Sequence, residues 1–195
     1  RSTLFPYTTL FRSALAVSDL RVINGQRGKL ALFKLDDKSG SIDARADEAL
    51  LMQHADALKD DQLLIAEGSV RNDRFSGGLQ VILTKIWSLP EARCRFGKYL
   101  RLFLGPEATP QIIPQLRSIV QAHPPRVEET EHGPLTRRLP VRLVVERRGH
   151  DADGRPLGAM VQLQLPDENS IWPSDQALAA CIAQASEGQA SVVYE

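Results

Sequence analysis

Two short cationic clusters hold the residues whose types and spacing best suit chemistry. Arg27 and Lys29 form one; Arg71, Asn72, Arg74 and Phe75 form the other. Guanidinium and ammonium groups on turns pair with phosphate oxygens, an amide adds a donor, and an aromatic ring offers a face for stacking. Lys34 and Arg45 fall between the clusters, on segments that alternate like strands. Phe33 could stack as well, but its place in an alternating apolar series fits a core better. Catalytic and metal chemistry find little support. No phosphate-binding G-x-x-x-x-G-K-[ST], no G-x-G-x-x-G and no G-x-S-x-G occurs. His54, His123, His132 and His150 are scattered, with no Cys or His at metal-ligand spacing. The doublets Asp36-Asp37 and Asp60-Asp61 read as turn and cap residues. Asp151-Ala152-Asp153-Gly154 begins like a calcium loop, but its Gly comes fourth rather than sixth and no Glu follows at the twelfth position. No cofactor and no metal are expected.

The elements that must position these groups are short. Residues 14–23 are strand-compatible and run into the turn Asn24-Gly25-Gln26-Arg27-Gly28. Lys29 to Leu35 alternates, with Ala31, Phe33 and Leu35 on one face. A loop over Asp36 to Gly40, with a positive φ expected at Gly40, leads into a strand from Ser41 to Ala46. Asp47 to Leu58 reads as a helix on the spacing of Leu51, Ala55 and Leu58. Strands over 62–71 and 79–87 follow, separated by the loop 72–78. Three strands, a helix and two strands in this order predict an OB-fold, a five-stranded barrel. Such barrels bind single strands across their second and third strands, between the loops that carry the two cationic clusters.

After a connector at Pro90, a strand over 98–104 and a helix over 110–122 are expected. An exposed polar loop over 123–134, strands over 139–147 and 159–165, a helix capped by Ser174 and a strand over 191–194 follow. The fold class is thus β plus α+β: a five-stranded OB barrel over 14–92, then a small β-α-β-β-α-β domain over 96–195.

Composition agrees with an ordinary globular chain. Of 195 residues, 43% are hydrophobic and 25% charged, and 24 Lys and Arg balance 24 Asp and Glu. No apolar run is long enough for a membrane helix. Two cysteines exclude a disulfide framework and fit a reducing, cytoplasmic setting. The balance hides an asymmetry: residues 1–104 hold 16 basic and 12 acidic side chains, and residues 105–195 hold 8 and 12. A basic half joined to an acidic half suggests different partners.

Residues 3–13 look like the in-frame translation of a sequencing-adapter oligonucleotide, so residues 1–13 are expected to be an artefactual, disordered leader. Three later blocks carry a resemblance. Leu35-Asp36-Asp37-Lys38-Ser39-Gly40, then Leu63 to Ile65 running into Glu67-Gly68-Ser69-Val70, then Asp73-Arg74-Phe75-Ser76-Gly77-Gly78-Leu79 come in order. Together with Tyr99 to Leu104 and Trp172-Pro173-Ser174-Asp175, they resemble the C-terminal region of proteobacterial DNA polymerase III alpha subunits.

The resemblance implies an OB-fold that binds single-stranded template DNA and a last domain that docks on the tau subunit of the clamp loader. The remainder of the alpha subunit would be a further partner. It also implies that the polymerase active site lies outside this segment, so no enzyme activity is expected of it. Arg147, Arg148, Ile171 and Trp172 are the expected contacts to tau. The sequence departs from the family at Asp47, where relatives often carry an aromatic residue, and a carboxylate there weakens strand binding. Two other readings remain: a connector that binds only proteins, and an anticodon-binding type of OB module. Gln162-Leu163-Gln164-Leu165 faintly resembles a clamp-binding peptide but lacks its terminal aromatic residue and sits in an alternating strand.

Overall fold

The structure, a computed structural model, describes residues 10–25, 28–55, 57–73, 77–130 and 133–194, with backbone alone over 10–14. The chain divides into two units between Leu89 and Pro90. In the first, β1 (Leu10–Gly25), β2 (Gly28–Asp36), β3 (Ser41–Asp47), β4 (Leu63–Asn72) and β5 (Leu79–Ser88) close a barrel in the order β1-β2-β3-β5-β4. Within this barrel β3 and β5 pair in parallel, and the other described neighbours pair antiparallel. This is the OB-fold predicted from the order of strands and helix. Alternation fills the inside: Leu15, Val17, Ala31, Phe33, Leu35, Ala44, Ala46, Leu64, Ala66, Val81 and Leu83 are buried together. Closure also removes the exposed edges that such short strands would otherwise present.

Three local expectations need correction. The leader enters the fold at Leu10, because the backbone of Leu10 to Ala16 pairs with Ser69 to Leu63 of β4. Backbone donors and acceptors along a strand edge are satisfied by any extended chain, whatever its side chains. The expected disorder of residues 1–9 lies outside the described residues. The helix α1 (Glu48–Gln53) is shorter than its spacing suggested. Past its cap at His54 the chain turns, with the Ala57 and Leu58 amides donating to the His54 carbonyl, and Leu58 drops into the core at 2% exposure. Burying Leu58 outweighs continuing a helix whose next stripe residue, Ala55, is exposed. At the β2–β3 turn the positive φ falls on Lys38, at 70°, rather than on Gly40. The Asp37 carboxylate accepts from the Ser39 amide at 2.9 Å, the Ser39 hydroxyl at 2.6 Å and the Gly40 amide at 3.2 Å, which fixes the turn. These hydrogen bonds hold the Asp37 carboxyl below its ordinary range.

In the second unit, α2 (Leu89–Phe96) occupies the predicted connector and leads into β6 (Gly97–Leu104) and α3 (Ile112–Ala122). A hairpin of β7 (Arg126–Thr130) and β8 (Gly133–Arg137) stands where an exposed loop was expected. Its residues are largely exposed, so no buried face left an alternating signature. β9 (Val141–His150), β10 (Pro156–Gln164), α4 (Asp175–Gln184) and β11 (Ala190–Tyr194) complete the unit, with sheet order β10-β9-β6-β11. Apart from the hairpin, this is the β-α-β-β-α-β order expected. Ser174 caps α4 as predicted, its hydroxyl accepting from the Ala177 amide at 3.1 Å. Leu100, Leu102, Leu139, Val141, Ile171, Ala177 and Cys181 form this core, with Leu116, Ile119 and Val120 of α3 packed against it. Burial pushes the thiols of Cys94 and Cys181 up to about 11, so both stay protonated at neutral pH. Among the described residues, no helix is long and apolar enough to cross a membrane.

Candidate nucleic-acid interface

The strand registers decide which side chains share the outer face of the barrel. Lys34 of β2 lies opposite Asp43 of β3, Asp43 beside Gln80 of β5, and Gln80 opposite Arg71 of β4. One step along, Arg21 of β1 faces Leu32, Leu32 faces Arg45, Arg45 neighbours Ile82, and Ile82 faces Ser69. Side chains in register point to the same side of a sheet. Lys34, Arg45 and Arg71, chosen from sequence, therefore share one curved surface, and Arg21 and Gln80 join them. Arg21 escaped the sequence reading because a bulge in β1 shifts the pairing between Ser18 and Arg21. The bulge is held from outside, where the Leu20 amide donates to Asp60 Oδ1 at 3.0 Å.

Carboxylates interrupt this surface. Asp19, with φ 57° at the bulge, pairs with Lys34 at 3.0 Å. The pair and its hydrogen bond lower the Asp19 pKa and raise that of Lys34. Lys29, second in β2, lies opposite Asn24 and is exposed at the barrel end. Its neighbour Gly28, beside the Glu48 carboxylate, takes φ 108°, a backbone conformation that residues with a Cβ rarely adopt. Asp47 caps α1, its carboxylate accepting from the Leu50 amide at 2.9 Å. That bond gives the departure at Asp47 a structural role in ending β3 and starting the helix.

The second cluster sits at the β4–β5 hairpin. Arg71 and Asn72 are exposed at the end of β4, and the hairpin closes through the Asp73 amide on the Gly78 carbonyl at 2.8 Å, with Gly77 at φ 72°. Arg27, Arg74 and Phe75 lie outside the described residues. Phe33 is 3% exposed, in the core as its alternation indicated. Along β4, Gly68 sits at a bulge where a Cβ would collide with the Ile82 carbonyl. Glu67 beside it is buried and pairs with Lys85 at 3.0 Å. The Glu-Gly of the second sequence block thus sets a buried, paired carboxylate beside a bulge packed closely on β5. Among the described residues, no three acidic, His or Cys groups converge as metal ligands.

Two of the expected docking residues are withdrawn. Ile171 is fully buried, exchanging backbone hydrogen bonds with Leu139 at 2.8 and 3.1 Å. Trp172 is 8% exposed, beneath the Arg126 guanidinium at 4.3 Å from its ring centre. Both are large apolar side chains that the second core absorbs, so neither offers a surface. Arg148 is exposed on β9, its Nε donating to Glu146 at 2.7 Å, and Arg147 donates to the Gly105 carbonyl at 3.1 Å.

Residues 16–89 match the family model of the OB-fold nucleic acid binding domain. Over 165 residues, or 84% of its length, the chain is 32% identical to the DNA polymerase III subunit alpha of Neisseria meningitidis. The Pasteurella multocida subunit is 35% identical over 109 residues. The chain is similar to part of a DNA polymerase III alpha subunit. The likeness read from the three motif blocks is thereby borne out. The chain spans 13% of the Neisseria subunit and 9% of the Pasteurella subunit. Among solved structures, a small single-stranded DNA-binding protein from Streptomyces coelicolor gives a TM-score of 0.36 at 10% identity, over 43% of this chain and 95% of that one. That likeness is too slight to carry an argument.

Proposed function

We propose that the barrel binds single-stranded DNA across the outer face of β2, β3, β5 and β4, as a non-catalytic segment of a cytoplasmic replicative polymerase subunit. The observation that supports this most directly is the shared surface of Arg21, Lys34, Arg45 and Arg71 on a closed OB barrel. Apolar Leu32 and Ile82 lie between the cations and offer a surface for bases, while the cations track phosphates. Asp19, Asp43 and Asp47 on or beside the same face keep the affinity modest, and the phosphate contacts leave it independent of sequence. In this reading Lys29 and Asn72, with Arg27, Arg74 and Phe75, extend the path at the two hairpins. The second unit docks on the tau subunit of the clamp loader, with Arg147 and Arg148 as contacts, and the remainder of the alpha subunit is the other partner.

Fluorescence anisotropy of a labelled oligo-dT tests the strand site. Affinity should fall steeply as salt rises, since each phosphate contact releases counterions. Changing Lys29, Arg45 and Arg71 together to Ala should weaken binding by roughly tenfold or more at low salt. Absence of binding at low salt would refute the strand site and favour a connector that meets only proteins. Titration of tau against the chain and against Arg147→Glu/Arg148→Glu tests the docking. Equal affinity for both would remove these arginines from the contact.

A further inference from the structure

We propose that β10 is a self-complementary sheet edge through which two copies of this chain pair antiparallel about Met160. β10 ends the sheet order β10-β9-β6-β11, so among the described residues no strand lies along one side of its backbone. All nine of its residues are exposed. Leu157 is 56% exposed, Met160 64%, Val161 50% and Leu163 47%. Edge strands are normally guarded by charge, by proline or by brevity. From Leu157 to Gln164 this one has no charged residue and no proline.

The order of side chains names the occupant. Leu157, Ala159, Val161 and Leu163 alternate onto one face, and Gly158, Met160, Gln162 and Gln164 onto the other. A two-fold axis at Met160 sets Leu157 against Leu163 and Ala159 against Val161 of the second copy, so one face is apolar throughout. On the other face Met160 meets Met160 and Gln162 meets Gly158, where the space beside the glycine is open. A slip of one residue sets Leu157 against Gln164 and spoils both faces. An isologous interface needs residue i of each copy to meet residue j of the other, and here every apolar residue of that face from Leu157 to Leu163 meets an apolar mate. Pairing would join two four-stranded sheets into one of eight strands.

Sedimentation of the full chain at tens of micromolar tests the pairing. The expected result is a concentration-dependent dimer, with Val161→Lys monomeric and its thermal melt unchanged. Met160→Cys should cross-link to itself on oxidation in high yield, and Leu157→Cys, whose mate is residue 163, should not. The unaltered chain, with its buried Cys181 and half-buried Cys94, is the control. A monomeric wild type overturns the proposal. So does a dimer that survives Val161→Lys, or a Leu157→Cys variant that self-links as readily as Met160→Cys.

Discussion

Asp19 and Lys34 are partners at 3.0 Å on the face where a phosphate would need the lysine. The Asp19 pKa is lowered, so its carboxylate stays charged until the pH falls below the ordinary 3.8. The Lys34 pKa is raised, so its ammonium persists until the pH rises past 10.5. What each group contributes to folding is lost only outside that window, on the acid side for Asp19 and on the alkaline side for Lys34. Around neutral pH, then, the Asp19 carboxylate is charged and would compete with any phosphate for Lys34. Asp19→Asn should tighten oligo-dT binding by about threefold at low salt, as an exposed competing charge is removed. Lys34→Ala should cost less affinity than Arg45→Ala, because Lys34 is already neutralised. Anisotropy titrations of the three variants would check both expectations, and equal losses from the two alanines would contradict them.

Strands that bury one face were legible in the sequence because alternation is a strong signal, and β2 carries it in Ala31, Phe33 and Leu35. Two kinds of feature were not legible. The hairpin β7–β8 buries almost nothing, so its residues carry no pattern. The bulges in β1 and β4 depend on contacts far along the chain, with Asp60 holding one and the Ile82 carbonyl crowding the other. Of the candidate site, the cations on β2, β3 and β4 were readable from strand position; Arg21 was not, since its facing depends on the β1 bulge. Gly68→Ala should destabilise the barrel by about 2–4 kcal/mol, because the added methyl meets backbone that cannot yield. Chemical denaturation would measure it, and a loss under about 0.5 kcal/mol would contradict the close packing on β5. Deleting residues 1–13 removes the pairing of β1 with the outer half of β4. Exchange of those amides between Ala66 and Ser69 that point to β1 should then accelerate, while the amides bonded to β5 keep their protection.

At the scale of the molecule, the charge asymmetry and the placement of the cations agree. The basic excess lies in residues 1–104, and the acidic excess beyond them repels phosphate. Photocross-linking with halogenated oligonucleotides should label residues 14–89 and leave 105–195 unlabelled. Labels spread evenly over both segments would contradict a strand path confined to the barrel. The two tryptophans also divide between the units. Trp87 is 7% exposed in the first, and Trp172 lies under Arg126 in the second. Each unit thus carries a natural fluorophore in its interior, one with a cation over its ring. Emission from Trp87→Phe follows the second unit alone, and emission from Trp172→Phe follows the first. Whether the halves melt together or apart can be read optically, without attaching a label to either.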